Sequence, residues 1–244
     1  MNGIVQIGCL GNLGRFGNCL FQYAFARGYA ESIGARLETP PWIGQKIFEG
    51  IADPAPSVAL PTLGVDEFPG GRTNVNLWGY FQYDKCFKFY TLSKLRQWFK
   101  IKPALVEKYG SQRRSVVAHV RRGDYLTVYK DIFCSIGYSA YTKALLKHGY
   151  SNVITVSEDS CRDPIDDKSL EFLPDFLTLC NCDVLFRANS TFSWWAGTLG
   201  SQLRIFSPVV DGLRGMQQDN VEFVEGNLPR CVDLPNVHDY NIEP

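Results

Sequence analysis

The sequence predicts an α/β fold built on parallel sheets. Three observations carry that expectation. The chain opens on a strand, a glycine loop, a helix and a second strand between Gly3 and Glu38. Its second half alternates short apolar runs with helical patterns from Ser115 to Phe206. Those apolar runs end in polar clusters, as parallel strands do where they reach a ligand crevice.

Gly3 to Gly8 (GIVQIG) reads as a strand, and the glycine-dense CLGNLGRFGN after it as a loop. Phe16 to Ser32 sets Leu20, Tyr23, Ala24 and Ala30 at helical spacing, and Ala35 to Glu38 reads as the next strand. The spacing Gly11-x-x-Gly14-x-x-Gly17 departs from the dinucleotide fingerprint, so the loop does not predict NAD or FAD. It offers backbone N–H groups at a helix start, with Arg15, Gly17 and Asn18 alongside. That combination suits an anion or a polyhydroxylated ligand; it equally suits a tight turn with a cap. Pro40 to Gly71 is rich in proline and glycine and lacks a period, so it is expected to be irregular, with at most a short helix or strand. Val75 to Gly79 reads as a strand. Tyr90 to Lys100 reads as a helix with Leu92, Leu95 and Phe99 on one face. The polar stretch Lys102 to Arg114, with Pro103, marks a domain boundary.

Ser115 to Val120 is a Val-rich strand that breaks off into His119, Arg121, Arg122 and Asp124. Adjacent arginines are costly to desolvate unless an anion lies between them, and the guanidinium fork matches phosphate oxygens. The cluster therefore points to a diphosphate site, with Asp124 steadying an arginine; it also fits a strand end with solvated charges. Ser139 to Lys147 is a helix with Ser139 as a cap, and Asn152 to Val156 a strand ending in Ser157, Glu158 and Asp159. Leu170 to Cys182 reads as a helix interrupted near Pro174, and Val184 to Ala188 as a strand ending in Asn189, Ser190 and Thr191. Phe192 to Leu199 is a helix whose start, with Ser190, Thr191 and Ser193, suits phosphate, and whose Trp194 and Trp195 dock it on a sheet. Arg204 to Phe206 is a last strand leading into Pro208. Strand ends of such a sheet converge, which places Arg121, Arg122, Ser157 to Asp159 and Asn189 to Ser193 on one rim.

Composition narrows the class. The 244 residues are 45% hydrophobic and 20% charged, with a formal net charge of zero, so no basic field favours nucleic acid. Eight cysteines in a chain this long, without a secretion signal, are expected to be reduced and structural. No apolar run is long enough to cross a bilayer, so the expectation is a soluble, cytoplasmic protein without stable membrane insertion. Oligomeric state has no signature here.

Four strings together resemble the glycosyltransferase family 11 α-1,2-fucosyltransferases. They are Gly14-Arg15-Phe16-Gly17-Asn18 with Leu20-Phe21-Gln22-Tyr23-Ala24; Gly79-Tyr80-Phe81-Gln82; His119-Val120-Arg121-Arg122-Gly123-Asp124-Tyr125; and Asn189-Ser190-Thr191-Phe192-Ser193-Trp194-Trp195. Their order is that of the family. The sequence departs from it at Cys19, where glutamine is usual, at Glu158, where aspartate is usual, and in its shorter stretches between Pro40 and Gly71 and after Tyr129.

The resemblance implies a GT-B-like fold of two Rossmann-type domains facing across a cleft. Residues 1–108 would form the acceptor-side α/β domain and 109–244 the GDP-fucose-binding one. It implies inverting transfer of fucose from GDP-β-L-fucose to a glycan acceptor, usually O2 of a galactoside, with no metal or cofactor. On this reading Arg121 meets the β-phosphate, with Arg122 in support or bound to Asp124. Ser190, Thr191 and Ser193, with the helix start, hold the other phosphate oxygens, and Asn189 and Phe192 count among the substrate-binding residues. Glu158 and Asp159 meet the guanine or ribose, and Arg15, Gly17 and Asn18 face the fucose or the acceptor. His119 and Asp124 are the candidates for the base. Fucosyl transfer with another linkage, including transfer to protein hydroxyls, and nucleotide-sugar binding without catalysis are the alternatives.

Overall fold

The computed structural model describes residues 3–158, 165–210 and 217–226. The chain divides into two compact units, with the boundary at the step from Leu105 to Val106. Asp159 lies outside the described residues.

The first unit holds a three-stranded parallel sheet. Strand β1 (Ile4–Ile7) leads into helix α1 (Phe16–Ser32), then β2 (Arg36–Glu38), the short helix α2 (Gly44–Ile47) and β3 (Val75–Leu77), in sheet order β2-β1-β3. Gly14, at φ +77°, makes the left-handed step into α1 that a residue with a Cβ rarely adopts. Helix α1 is buried on nearly every face rather than along the single expected stripe, with Leu20, Phe21, Tyr23 and Phe25 fully covered. A helix apolar all round belongs inside a core. Aromatic rings from the irregular stretches supply that cover: Phe25 stacks on Phe81 at 4.5 Å and Tyr23 on Trp42 at 5.2 Å. Each such burial contributes about 2–3 kcal/mol. The chain continues through α3 (Asp84–Phe87), α4 (Leu92–Trp98) and α5 (Pro103–Tyr109). Helix α5 falls in the polar stretch read as a boundary, with Pro103 at its first position, where a missing N–H costs nothing.

The second unit is organised on β4 (Arg114–Val120), which pairs in parallel with β6 (Ile154–Ser157) on one side and β7 (Cys182–Phe186) on the other. Between β4 and β6 lie β5 (Ser135–Ile136) and α6 (Tyr138–Lys147); α7 (Leu173–Cys180) precedes β7. Then follow α8 (Thr191–Leu199), β8 (Arg204–Val209), β9 (Gln217–Gln218) and β10 (Glu222–Glu225). The sheet order is β10-β8-β7-β4-β6, parallel except for the edge strand β10, and β5 pairs with β9 in a separate ribbon. Trp194 and Trp195 of α8 are fully buried.

Some expected details differ. Ser139 does not cap α6: Gly137 stands at the cap, and the Ser139 hydroxyl donates to Asp219 at 2.6 Å. Pro174 opens α7 rather than interrupting a longer helix, as its lost donor and fixed φ favour. With Asn181 closing α7, strand β7 begins two residues earlier than its apolar run suggests. Strand β8 runs past Pro208 because its pairing with β7 ends at Phe206, leaving only the β10 side at that position.

Six cysteines, Cys9, Cys19, Cys86, Cys134, Cys180 and Cys182, are free thiols; Cys161 and Cys231 lie outside the described residues. Among the described residues no helix is long and apolar enough to cross a membrane.

Candidate active site

Parallel pairing of β6, β4 and β7 brings their carboxyl ends to one edge of the second unit's sheet. There Arg121 leaves β4 and lies between two carboxylates. It donates to Asp124, in the 3-10 turn Gly123–Tyr125, and to Glu158, just past β6. The three side chains are 14%, 24% and 27% exposed, so the cluster is half-sheltered rather than solvated. Arg121 also sits 4.9 Å over the Tyr125 ring. The Tyr125 hydroxyl donates to the carbonyl of Asn189 at 2.9 Å. This joins the arginine motif after β4 to the Asn189–Trp195 motif after β7.

The second motif makes a tight cap. Ser190 precedes α8, and its hydroxyl accepts from the Phe192 N–H at 3.3 Å. Ser193 is fully buried, its hydroxyl donating to the carbonyls of Ala188 at 3.2 Å and Ser190 at 3.4 Å. Ser190 and Ser193 therefore shape the loop from within, while Thr191 opens the helix half-buried. The Asn189 side-chain oxygen is buried and has no hydrogen-bond partner among the described residues. His119, 4% exposed in β4, places its ring 5.6 Å from that of Phe192. A contact therefore links the two motifs here as well.

Arg122 turns elsewhere. It donates to Gln217 at 2.8 Å, and its guanidinium lies 5.3 Å over Tyr138. Glu158, expected at the guanine or ribose, here engages Arg121. Tyr125 carries no role in the sequence reading, although it is the bridge between the two strings. Its hydroxyl is the signal that could have found it, since a buried tyrosine seeks an acceptor.

In the first unit, Arg15 occupies the cap position of α1, exposed, and its carbonyl accepts from the N–H groups of Asn18 at 2.8 Å and Cys19 at 3.0 Å. Gly17 is buried in the first turn. Asn18 accepts at its side-chain oxygen from Gln82 at 3.0 Å. The G-R-F-G-N and G-Y-F-Q strings are thus in contact through their final residues. Cys19, beside them, is buried, and that burial pushes its thiol pKa up. Among the described residues no group of three histidine, cysteine, aspartate or glutamate side chains is placed to hold a metal ion.

No protein-family profile matches the chain. No curated protein matches it. Among solved structures it is similar to NodZ α-1,6-fucosyltransferase soaked with GDP-fucose, at 16% identity over 94% of this chain and 100% of that one, with a TM-score of 0.51. It is similar to fucosyltransferase NodZ from Bradyrhizobium at 14% identity over 94% and 100%, with a TM-score of 0.58. It is also similar to an arginine-to-lysine variant of Arabidopsis thaliana FUT1 in complex with GDP, at 12% identity over 94% and 76%, with a TM-score of 0.51. These likenesses show the fold, an α/β chain with parallel sheets.

Proposed function

We propose that this chain is an inverting fucosyltransferase that moves L-fucose from GDP-β-L-fucose to a sugar hydroxyl, O2 of a galactoside being the first choice. One observation carries the reading: Arg121, Tyr125 and Asn189 form a continuous set of contacts between two sequence strings at the carboxyl ends of β4 and β7. Ligands of open parallel sheets bind at such ends. Among solved structures of the same fold, one was soaked with GDP-fucose and another is in complex with GDP.

The mechanism follows from what the departing nucleotide needs. Negative charge grows on the β-phosphate as the glycosidic bond breaks, and preorganised donors stabilise it. Arg121 supplies the guanidinium: its two terminal nitrogens donate to Glu158 and Asp124, which hold it in direction, and its remaining N–H groups are the ones this reading gives to the phosphate. The start of α8 adds backbone N–H groups and the Thr191 hydroxyl, with Asn189 just ahead of them in the same loop. Arg122 adds positive charge near the same turn. His119 or Asp124 takes the acceptor proton. In the first unit Arg15, Gly17 and Asn18 offer their polar groups to a sugar, the fucose or the acceptor. On this scheme cations of the protein do the work of neutralisation, so transfer continues in excess chelator.

Incubation with labelled GDP-fucose and a galactoside array, followed by linkage analysis, tests the reading. An α-1,2 product supports it. A product of another linkage favours the second reading, which the likeness to an α-1,6-fucosyltransferase motivates. GDP binding without turnover across the array makes the chain a nucleotide-sugar-binding protein.

A further inference from the structure

The first unit carries a clamp on the Gly79–Gln82 string whose acceptor, Asp66, lies outside the four motifs. Among the described residues, non-glycine residues with left-handed φ are Asp66 at 55°, Asn74 at 55° and Phe81 at 54°. Such conformations are disfavoured for side-chain-bearing residues, and they persist where surrounding contacts impose them. Asp66 and Phe81 are bonded to each other: the Asp66 carboxylate accepts from the Phe81 N–H at 2.7 Å. The same carboxylate accepts from the Tyr83 hydroxyl at 3.3 Å, and the Asp66 N–H donates to the Trp78 carbonyl at 2.8 Å. Between them Gly79, at φ +153°, leaves room for the carboxylate, since a Cβ there would lie 2.3 Å from it. One residue thus holds positions 78, 81 and 83. The residue it frames is Gln82, 7% exposed, whose amide donates to Asn18. An amide is planar, so an oxygen fixed by Gln82 turns the Asn18 nitrogen, with its N–H donors, to the other edge.

We propose that Asp66 is a positioning residue for the transfer reaction. Its carboxylate locks the 79–82 turn in its left-handed form, and through Gln82 it sets the Asn18 amide to donate to a sugar hydroxyl. The inference rests on the reading of Asn18 given under the proposed function. It accounts for an acidic side chain at a left-handed position that glycine would also fill, since glycine offers no acceptor to the Phe81 N–H.

Two substitutions separate positioning from stability. Asp66→Gly accepts the left-handed φ without strain but removes the acceptor. Asp66→Asn tolerates that φ and keeps an oxygen in place. Steady-state transfer from labelled GDP-fucose to the galactoside array is measured for both, with melting temperature and calorimetric GDP binding as controls. The expected result is an Asp66→Gly chain that folds and binds GDP like the wild type while kcat falls between about ten- and hundredfold. Asp66→Asn is expected to restore kcat to within about threefold of the wild type. In an Asn18→Ala background, Asp66→Gly should cost nothing further. Wild-type kcat in Asp66→Gly, or equal losses in the Gly and Asn variants, would overturn the inference alone. Absence of transfer by the wild type would overturn the function itself, and this role with it. Should Asp66→Gly not fold, amide exchange of the wild type decides: rapid exchange at the Phe81 N–H would rule out the clamp.

Discussion

Tyr125 donates its hydroxyl to the backbone carbonyl of Asn189 across 2.9 Å, although 64 residues separate them. The bond closes the gap between the turn after β4 and the loop after β7. Arg121 rests on the ring of that same tyrosine. The arginine's position and the loop's position are therefore coupled through one side chain.

Tyr125→Phe keeps the ring under Arg121 and deletes the bond. It should lower stability by about 1 kcal/mol. GDP binding should weaken roughly three- to tenfold as the Asn189 loop loses its anchor. Thermal denaturation and calorimetry check the two effects separately. Unchanged GDP affinity would mean that the loop is held by other contacts.

Arg121→Ala should reduce transfer by at least about a hundredfold while circular dichroism stays that of a folded chain. Arg121→Lys should recover little, because an ammonium cannot present two parallel donors. Removing the guanidinium also leaves Asp124 and Glu158 facing each other without it, at a cost of about 1–3 kcal/mol. Adding Glu158→Gln to Arg121→Ala should return part of that stability and none of the activity. Near-wild-type turnover in Arg121→Ala would remove this residue from the chemistry.

Glu38 gives the first unit an acid-sensitive joint. Burial by itself raises its pKa. The Ser57 hydroxyl and N–H, the Gln6 amide and the Arg36 guanidinium outweigh that effect and hold the carboxyl down to about 2. Its ordinary value is about 4.3. The folded value is the lower one, so the stabilisation is complete above the ordinary value and disappears as pH falls toward 2. The contribution is roughly 2–3 kcal/mol. Denaturant titrations from pH 6 to pH 2 should show a steeper loss for the wild type than for Glu38→Gln. Parallel curves would contradict this role.

Burial raises the pKa of the thiols of Cys86 and Cys182 to about 12 and of Cys134 to about 11, and it pushes those of Cys9, Cys19 and Cys180 up as well. Thiolate is the reactive form. At pH 8 a disulfide reagent should leave these six unmodified in the native chain and modify all of them in guanidinium, as peptide mapping would show. Rapid native labelling of Cys19 would mean that the first turn of α1 opens.

Periodicity and residue type alone determined much of this protein. The opening strand, helix and strand follow from a local alternation that each segment carries by itself, as do the parallel order of the second half and the polar ends of its strands. The rim of Arg121, Glu158 and Asn189 was legible for the same reason, because strand ends of a parallel sheet must converge. Tertiary structure decided the partners. Nothing in the string around Asp66, within a proline- and glycine-rich stretch without a period, marks it as the acceptor for Phe81. Nor does residue type say that Glu158 joins Asp124 on one arginine, that Ser193 turns inward, or that Ser139 reaches for Asp219 instead of capping its helix. Helices and strands are specified by neighbours in sequence, whereas a hydrogen bond between distant residues exists only once the packed core has set their distance and direction.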